Sequence, residues 1–140
     1  MRKPTAAFVG AGWTALAIFA TTYLIAIARM GIPDVEAFFY ITVFLFGIFG
    51  VIALTKAIRD REEGIPVTGA FIGASWAGTL TPMILMAVYL LNVSGLNELQ
   101  RGLLFLTFIA GVFAMVVVQK NFRDVADYNK ATAHAVEVVE

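Results

Sequence analysis

A chain of 140 residues that is 60% hydrophobic and only 14% charged, with a mean hydropathy of +0.84, lies far from soluble composition, where about 25% of residues carry charge. Ten basic residues balance ten acidic ones, which leaves no electrostatic case for a nucleic-acid partner. The absence of cysteine excludes disulfides, thiolate metal sites and cysteine nucleophiles together.

The charged side chains leave four stretches bare: 4–28, 37–55, 64–97 and 102–119. A helix needs roughly 20 apolar residues to cross about 30 Å of hydrocarbon. The spacing therefore predicts four transmembrane helices, near 7–28, 37–56, 68–91 and 102–120. Runs such as "FFYITVFLFGIFGVIAL" lack the alternation of barrel strands, so the protein is read as all-α and integral to a membrane, with the lipid bilayer as its first partner.

The first helix follows the basic start "MRKPT", and "AIA" at 26–28 resembles a signal-peptidase site. The apolar run is too long for a signal core, so a retained helix is expected. Gly31 and Pro33 end it, and Asp34 is the expected N-cap of the second helix. Gly64 and Pro66 separate the second helix from the third, and Asn97 is the expected N-cap of the fourth. The stretch "NVS" at 92–94 matches a glycosylation sequon but abuts the membrane, and is set aside. From Val125 the chain becomes a polar tail, 125–140, containing the only histidine, His134, which has no metal-ligating neighbours and is read as solvated.

The helices repeat. "AFVGAGW" at 7–13 matches "AFIGASW" at 70–76 in five of seven positions, and "FLFGIFGVIALTKAIRD" at 44–60 aligns with "FIAGVFAMVVVQKNFRD" at 108–124. Two units result, 1–64 and 65–124, each expected to be a helical hairpin closed by Lys-x-x-Arg-Asp. An even number of spans per unit makes the repeat parallel, with a pseudo-twofold axis along the membrane normal. Arg2, Lys3, Lys56, Arg59, Arg61, Lys120, Arg123 and Lys130 then share one face against Arg29 and Arg101 on the other, which places both termini in the cytoplasm.

These doubled blocks, "GAGW…KAIRDREEGIPVTG" and "GASW…QKNFRD", resemble the YiaA/YiaB family of bacterial inner-membrane proteins, built from a repeated two-helix domain. The resemblance spans residues 4–124. It implies a four-helix, multi-pass protein of the bacterial inner membrane, and it supplies no catalytic residue or ligand to carry over.

Three groups of residues are singled out. Lys56, Arg59 and Asp60, with Lys120, Arg123 and Asp124, read either as anchors at helix ends, paired at i and i+4 and favoured by the C-terminal dipole, or as a cytoplasmic contact surface. A protein partner is preferred over anionic headgroups there, because Asp60, Glu62, Glu63 and Asp124 dilute the positive charge. Ala7, Gly10, Ala11 and Ala15, with Ala70, Gly73, Ala74 and Gly78, form small-residue stripes expected to pack the first helix on the third, homodimerisation being the competing use. Trp13 and Trp76 are expected to anchor the same region, their indoles bonded near Thr14, Ser75 or Thr79. Pro82 should kink the third helix and free a carbonyl for Thr79 or Thr81, the best hint of a cavity.

No Asp, Glu, Lys, Arg or His is expected in the interior of a span, which argues against proton-coupled carriers and voltage sensors. No nucleophile–base pair, carboxylate pair, metal cluster, cofactor motif or phosphate-binding glycine loop is present, so no enzyme is expected. The expected function is that of a non-catalytic structural, assembly or accessory subunit; the alternative is a small homo-oligomeric channel or facilitator. Whether the protein forms a homo-oligomer or joins a larger membrane complex is left open.

Overall fold

In the computed structural model, residues 3–92 and 95–137 are described, with side chains to 133. Arg2, Val93 and Ser94 of the "NVS" sequon and the His134 side chain lie outside the described residues. Four helices follow in order: α1 (Ala6–Arg29), α2 (Asp34–Glu62), α3 (Gly69–Asn92) and α4 (Glu98–Glu137). All four are long and apolar enough to cross a membrane. Their outward faces carry Ile18, Leu45, Phe49, Leu91, Leu106 and Phe113, each well exposed, as expected of surfaces solvated by acyl chains.

Local chemistry sets the boundaries. Thr5 caps α1 by accepting from the Phe8 amide at 3.3 Å, and Thr68, its counterpart in the second unit, does the same for Phe71 at 3.2 Å. Asn97 and Gln100 form a reciprocal capping box at the start of α4. Gly64 ends α2 with φ at 74°: its amide donates to Arg61 O and that of Ile65 to Asp60 O, the paired bonds of a left-handed cap. Two expectations are corrected here. Asp34 is the first residue of α2 rather than its cap, Pro33 holding that position. The fourth helix, expected near 102–120, runs on through the polar tail to Glu137, so that α4 spans 40 residues, about 60 Å, or twice the hydrocarbon thickness.

The helix order in space is not the order in sequence. The second helices of the two units, α2 and α4, meet at the centre; α1 packs along α4, and α3 packs along α2. Each first helix therefore lies mainly on the second helix of the other unit. The expected hairpin packing is confined to limited contacts of α1 with α2 and of α3 with α4, and the backbones of α1 and α3 stay apart, meeting through the Tyr23 and Met86 side chains.

The central contact is reciprocal. The Phe44 ring lies on Gly111, where an added Cβ would stand 2.8 Å from it, and the Phe108 ring lies on Gly47, at 3.4 Å from a Cβ there. Phe44 and Gly47 are the repeat equivalents of Phe108 and Gly111, so one contact is made twice about the pseudo-twofold axis. Tyr23 of α1 stacks on Phe44 with centroids 4.7 Å apart, and Met86 of α3, its own repeat equivalent, is buried beside it, the Tyr23 hydroxyl 4.0 Å from its sulfur. That hydroxyl donates to the Tyr40 carbonyl at 2.9 Å, so its burial leaves no unmet donor.

The flanking pairs use different chemistry at matching positions. Gly12 of α1 lets Asn121 of α4 approach, and the Asn121 side-chain amide donates to the Phe8 carbonyl at 3.4 Å. On the other side Ser75 replaces the glycine and Ala57 the asparagine, and Ser75 donates to the carbonyl of Phe71, the equivalent of Phe8, at 2.8 Å. In α3, Pro82 has no amide hydrogen to give the Gly78 carbonyl. That oxygen sits against Gly50 of α2, where an added Cβ would lie 2.2 Å away.

Gly50→Ala is accordingly expected to force α2 from α3 and to destabilise the protein by about 1–3 kcal/mol, read as a lowered unfolding midpoint in detergent. Gly10→Ala and Gly73→Ala, with no atom within 4 Å of the new Cβ, are expected to leave that midpoint unchanged or slightly raised.

Candidate functional site

Toward the end of the bundle that carries the charged motifs, α4 stays with α1 and α2 stays with α3, and a cavity of about 380 Å³ opens between α2 and α4. It is lined by Lys56, Arg59 and Glu62 from α2 and by Lys120 and Arg123 from α4, with Thr55 and Gln119 beside them and Ile52 and Val116 at its apolar side. Both copies of the motif thus meet in one cleft, their lysines and arginines gathered around it.

The aspartates do not line the cleft. Asp60 is buried and accepts from Lys56 and from the Arg59 guanidinium, at 3.2 Å from Nη2. Asp124 accepts from Lys120. Each motif therefore works as a unit in which the carboxylate holds the lysine from outside the cavity, and the lining itself presents four cations against the single carboxylate of Glu62. The lysines still expose 59% and 55% of their side chains, so their ammonium groups are accessible from the cavity. Arg59 also approaches Glu63, at 3.7 Å, while Arg123 makes no ion pair among the described residues.

The helix-end reading of the motif is corrected for one copy. Lys56, Arg59 and Asp60 do close α2, but Lys120, Arg123 and Asp124 lie more than three turns inside α4, out of reach of its C-terminal dipole. A shared cleft accounts for both copies where a helix end accounts for one. Beyond it α4 projects as a single helix, its Tyr128 ring 5.8 Å from the Lys3 ammonium, which ties the start of the chain to this end.

The other singled-out residues fall elsewhere. Ala7, Gly10 and Ala11 of α1, and Ala70, Gly73 and Ala74 of α3, are exposed, so the expected α1–α3 packing does not form within one copy. Trp13 and Trp76 are each about half exposed; Trp13 meets Phe122 of α4 edge-on at 5.6 Å, and Trp76 lines a cavity with Ile58, the equivalent of Phe122, and with Arg61 and Glu62. Two of the three hydroxyls expected to serve the indoles are turned away, Ser75 to Phe71 O and Thr79 to Ser75 O at 2.9 Å. Pro82 and Thr79 are buried in the α2–α3 seam, and the freed carbonyl meets Gly50 instead of a threonine.

A second cavity, of about 540 Å³, runs along the outside of that seam. It is lined by Phe46, Gly50, Ala53, Ala74, Ala77 and Gly78, with Ser75 and Thr81 as its hydroxyl-bearing residues. Ile52 and Lys56 line both cavities. Among the described residues no cluster of three metal-ligating side chains exists.

Two segments, residues 8–60 and 71–124, match the yiaA/B two helix domain family, and each match closes on the aspartate of a Lys-x-x-Arg-Asp motif. The chain is 31% identical over 118 residues to the inner membrane protein YiaA of Escherichia coli K12, an alignment that covers 84% of this chain and 81% of that relative. No solved structure matches the chain.

Because Lys56 and Lys120 line one cavity, a short amine-reactive crosslinker applied to dilute protein in detergent is expected to join them within a single chain. Mass spectrometry of the digest reads this directly, and a Lys56–Lys120 crosslink confined to oligomers would contradict the shared cleft.

Proposed function

The chain belongs to the yiaA/B two helix domain family and is a multi-pass inner-membrane protein, and on that premise we propose that it serves as a non-catalytic accessory or assembly subunit whose contact surface is the basic end of the bundle. The observation that carries this reading is the convergence of both Lys-x-x-Arg-Asp motifs on one cleft, which gives a largely lipid-facing molecule a polar, chemically specific feature. Glu63 and Arg61 at the end of α2 and the projecting part of α4 extend that feature into water.

Orientation follows from charge. The basic end carries Lys3, Lys56, Arg59, Arg61, Lys120, Arg123 and Lys130, against Arg29 and Arg101 at the other end, and this bias favours retention of the basic end on the cytoplasmic side. The contact surface is then cytoplasmic, as are both termini. The bundle interior is filled by Tyr23, Phe44, Met86 and Phe108, so a solute pathway would have to lie between several copies.

The test is a pull-down of tagged protein from its native membranes in gentle detergent, with crosslinking and mass spectrometry. A stoichiometric partner crosslinked near Lys56 or Lys120, lost in Arg59→Glu/Arg123→Glu protein that inserts in equal amount, is the expected outcome. Recovery of the protein alone as a defined homo-oligomer would replace the accessory reading with that of a channel or facilitator.

A further inference from the structure

The two cavities differ in chemistry and share a wall. One is cationic, and its charges begin where the apolar spans of α2 and α4 end, which is headgroup depth. The other is an apolar groove on the membrane-embedded flank of α2 and α3. Ile52 and Lys56 line both, so the cationic cleft and the apolar groove meet along one stretch of α2.

We propose that cleft and groove together hold one anionic phospholipid, its phosphate among Lys56, Arg59, Lys120 and Arg123 and an acyl chain along the α2–α3 groove. The ammonium groups of Lys56 and Lys120 and the planar forks of Arg59 and Arg123 are the donors that bind phosphate oxygens best. Gln119 adds an amide donor, whereas the Thr55 hydroxyl is already given to Val51 O at 2.7 Å. The placing of Asp60 and Asp124 outside the lining removes the dilution of charge that their sequence positions imply, because they fix the lysines without facing the ligand.

The groove also explains why a lipid is the better source of phosphate than a soluble anion, and why one lipid is bound rather than two. At the equivalent positions of the α1–α4 seam, Gly50, Ala53, Ala77 and Gly78 are replaced by the larger Ala114, Val117, Thr14 and Ala15. The pseudo-twofold axis doubles the cations around one cleft, whereas the groove that shares Ile52 and Lys56 with it is lined by α2 and α3 alone. This deepens the contact-surface reading by naming what fills the cleft. It is measured on purified protein with no partner present, so the two fail separately.

The experiment is native mass spectrometry of the full-length protein in detergent, titrated with phosphatidylglycerol or with zwitterionic phosphatidylcholine. Wild type is expected to retain one phosphatidylglycerol in preference to phosphatidylcholine. At about fivefold per juxtamembrane cation, Lys56→Gln/Lys120→Gln should weaken that retention about 25-fold. Ala74→Leu/Ala77→Leu, which fills the groove and leaves charge untouched, should weaken it as well, and Arg29→Gln at the opposite end should not. If the double lysine variant fails to fold, Lys120→Gln alone, at an exposed side chain, reads the same loss at about fivefold.

Equal retention of the two lipids, or undiminished retention in the lysine variants, would overturn the proposal. In a parallel arm, inorganic phosphate is added to delipidated protein and its melting temperature followed. A rise that the lysine variants lose and the groove variant keeps, without retention of phosphatidylglycerol, would preserve the phosphate site and overturn its lipid origin.

Discussion

Everything in this bundle depends on a junction at which one residue from each helix meets: Tyr23, Phe44, Met86 and Phe108, all buried. They are two pairs of repeat equivalents, so the pseudo-twofold axis passes between them. In lipid, helices gain nothing by hiding apolar surface from one another, and association rests on close packing and buried polar bonds. The rings of Phe44 and Phe108 seated on Gly111 and Gly47 supply the first, and the Tyr23 hydroxyl on the Tyr40 carbonyl supplies the second. Once α2 and α4 hold the centre, α1 and α3 are kept apart, and each takes the outer flank of a helix from the other unit.

The same constraint shapes the two ends differently. Near the short link from Arg29 to Asp34 the aromatic cluster of Phe39, Tyr40 and Tyr89 fills the space between helices. At the far end each central helix leans on its outer partner, through Asn121 and Gly12 on one side and through Gly50 and Gly78 on the other, and the gap left between them is the cationic cleft. The site is thus a by-product of how the two seams are packed, and its symmetry is inherited from the repeat.

Much of the architecture was legible in one dimension. Charge-free length reports span number, because the cost of burying a charge in hydrocarbon acts residue by residue, and Gly31, Gly64 and Asn97 mark helix ends through backbone chemistry that needs no partner. Partner choice is different in kind. Gly10 and Gly73 were expected at an interface, yet the interface residues are Gly12 and Ser75, two places along and so about 200° around the helix. Small size permits close approach; which face is approached depends on the other three helices. The extent of α4 was hidden because polarity beyond Val125 reads as tail, although no glycine or proline interrupts 121–137 to stop a helix. The cleft was legible as charge and as repetition. That the aspartates flank it, and that an apolar groove adjoins it, are properties of three-dimensional placement alone.

The exchange of partners between the units has a temporal side. During synthesis α2 and α3 emerge in succession and can join at once, but α1 must wait for α4, the last helix made, before its Gly12 face and the Phe8 carbonyl find Asn121. At about 5–20 residues per second, α1 stands in the bilayer without its main partner for on the order of several seconds. A chain cut short before α4 would leave that first helix as an orphan, apolar enough to remain inserted but with no seam to join. Its Gly12 face would then be free for whatever quality-control protease or neighbouring helix reaches it first, which makes the last helix the checkpoint for the first.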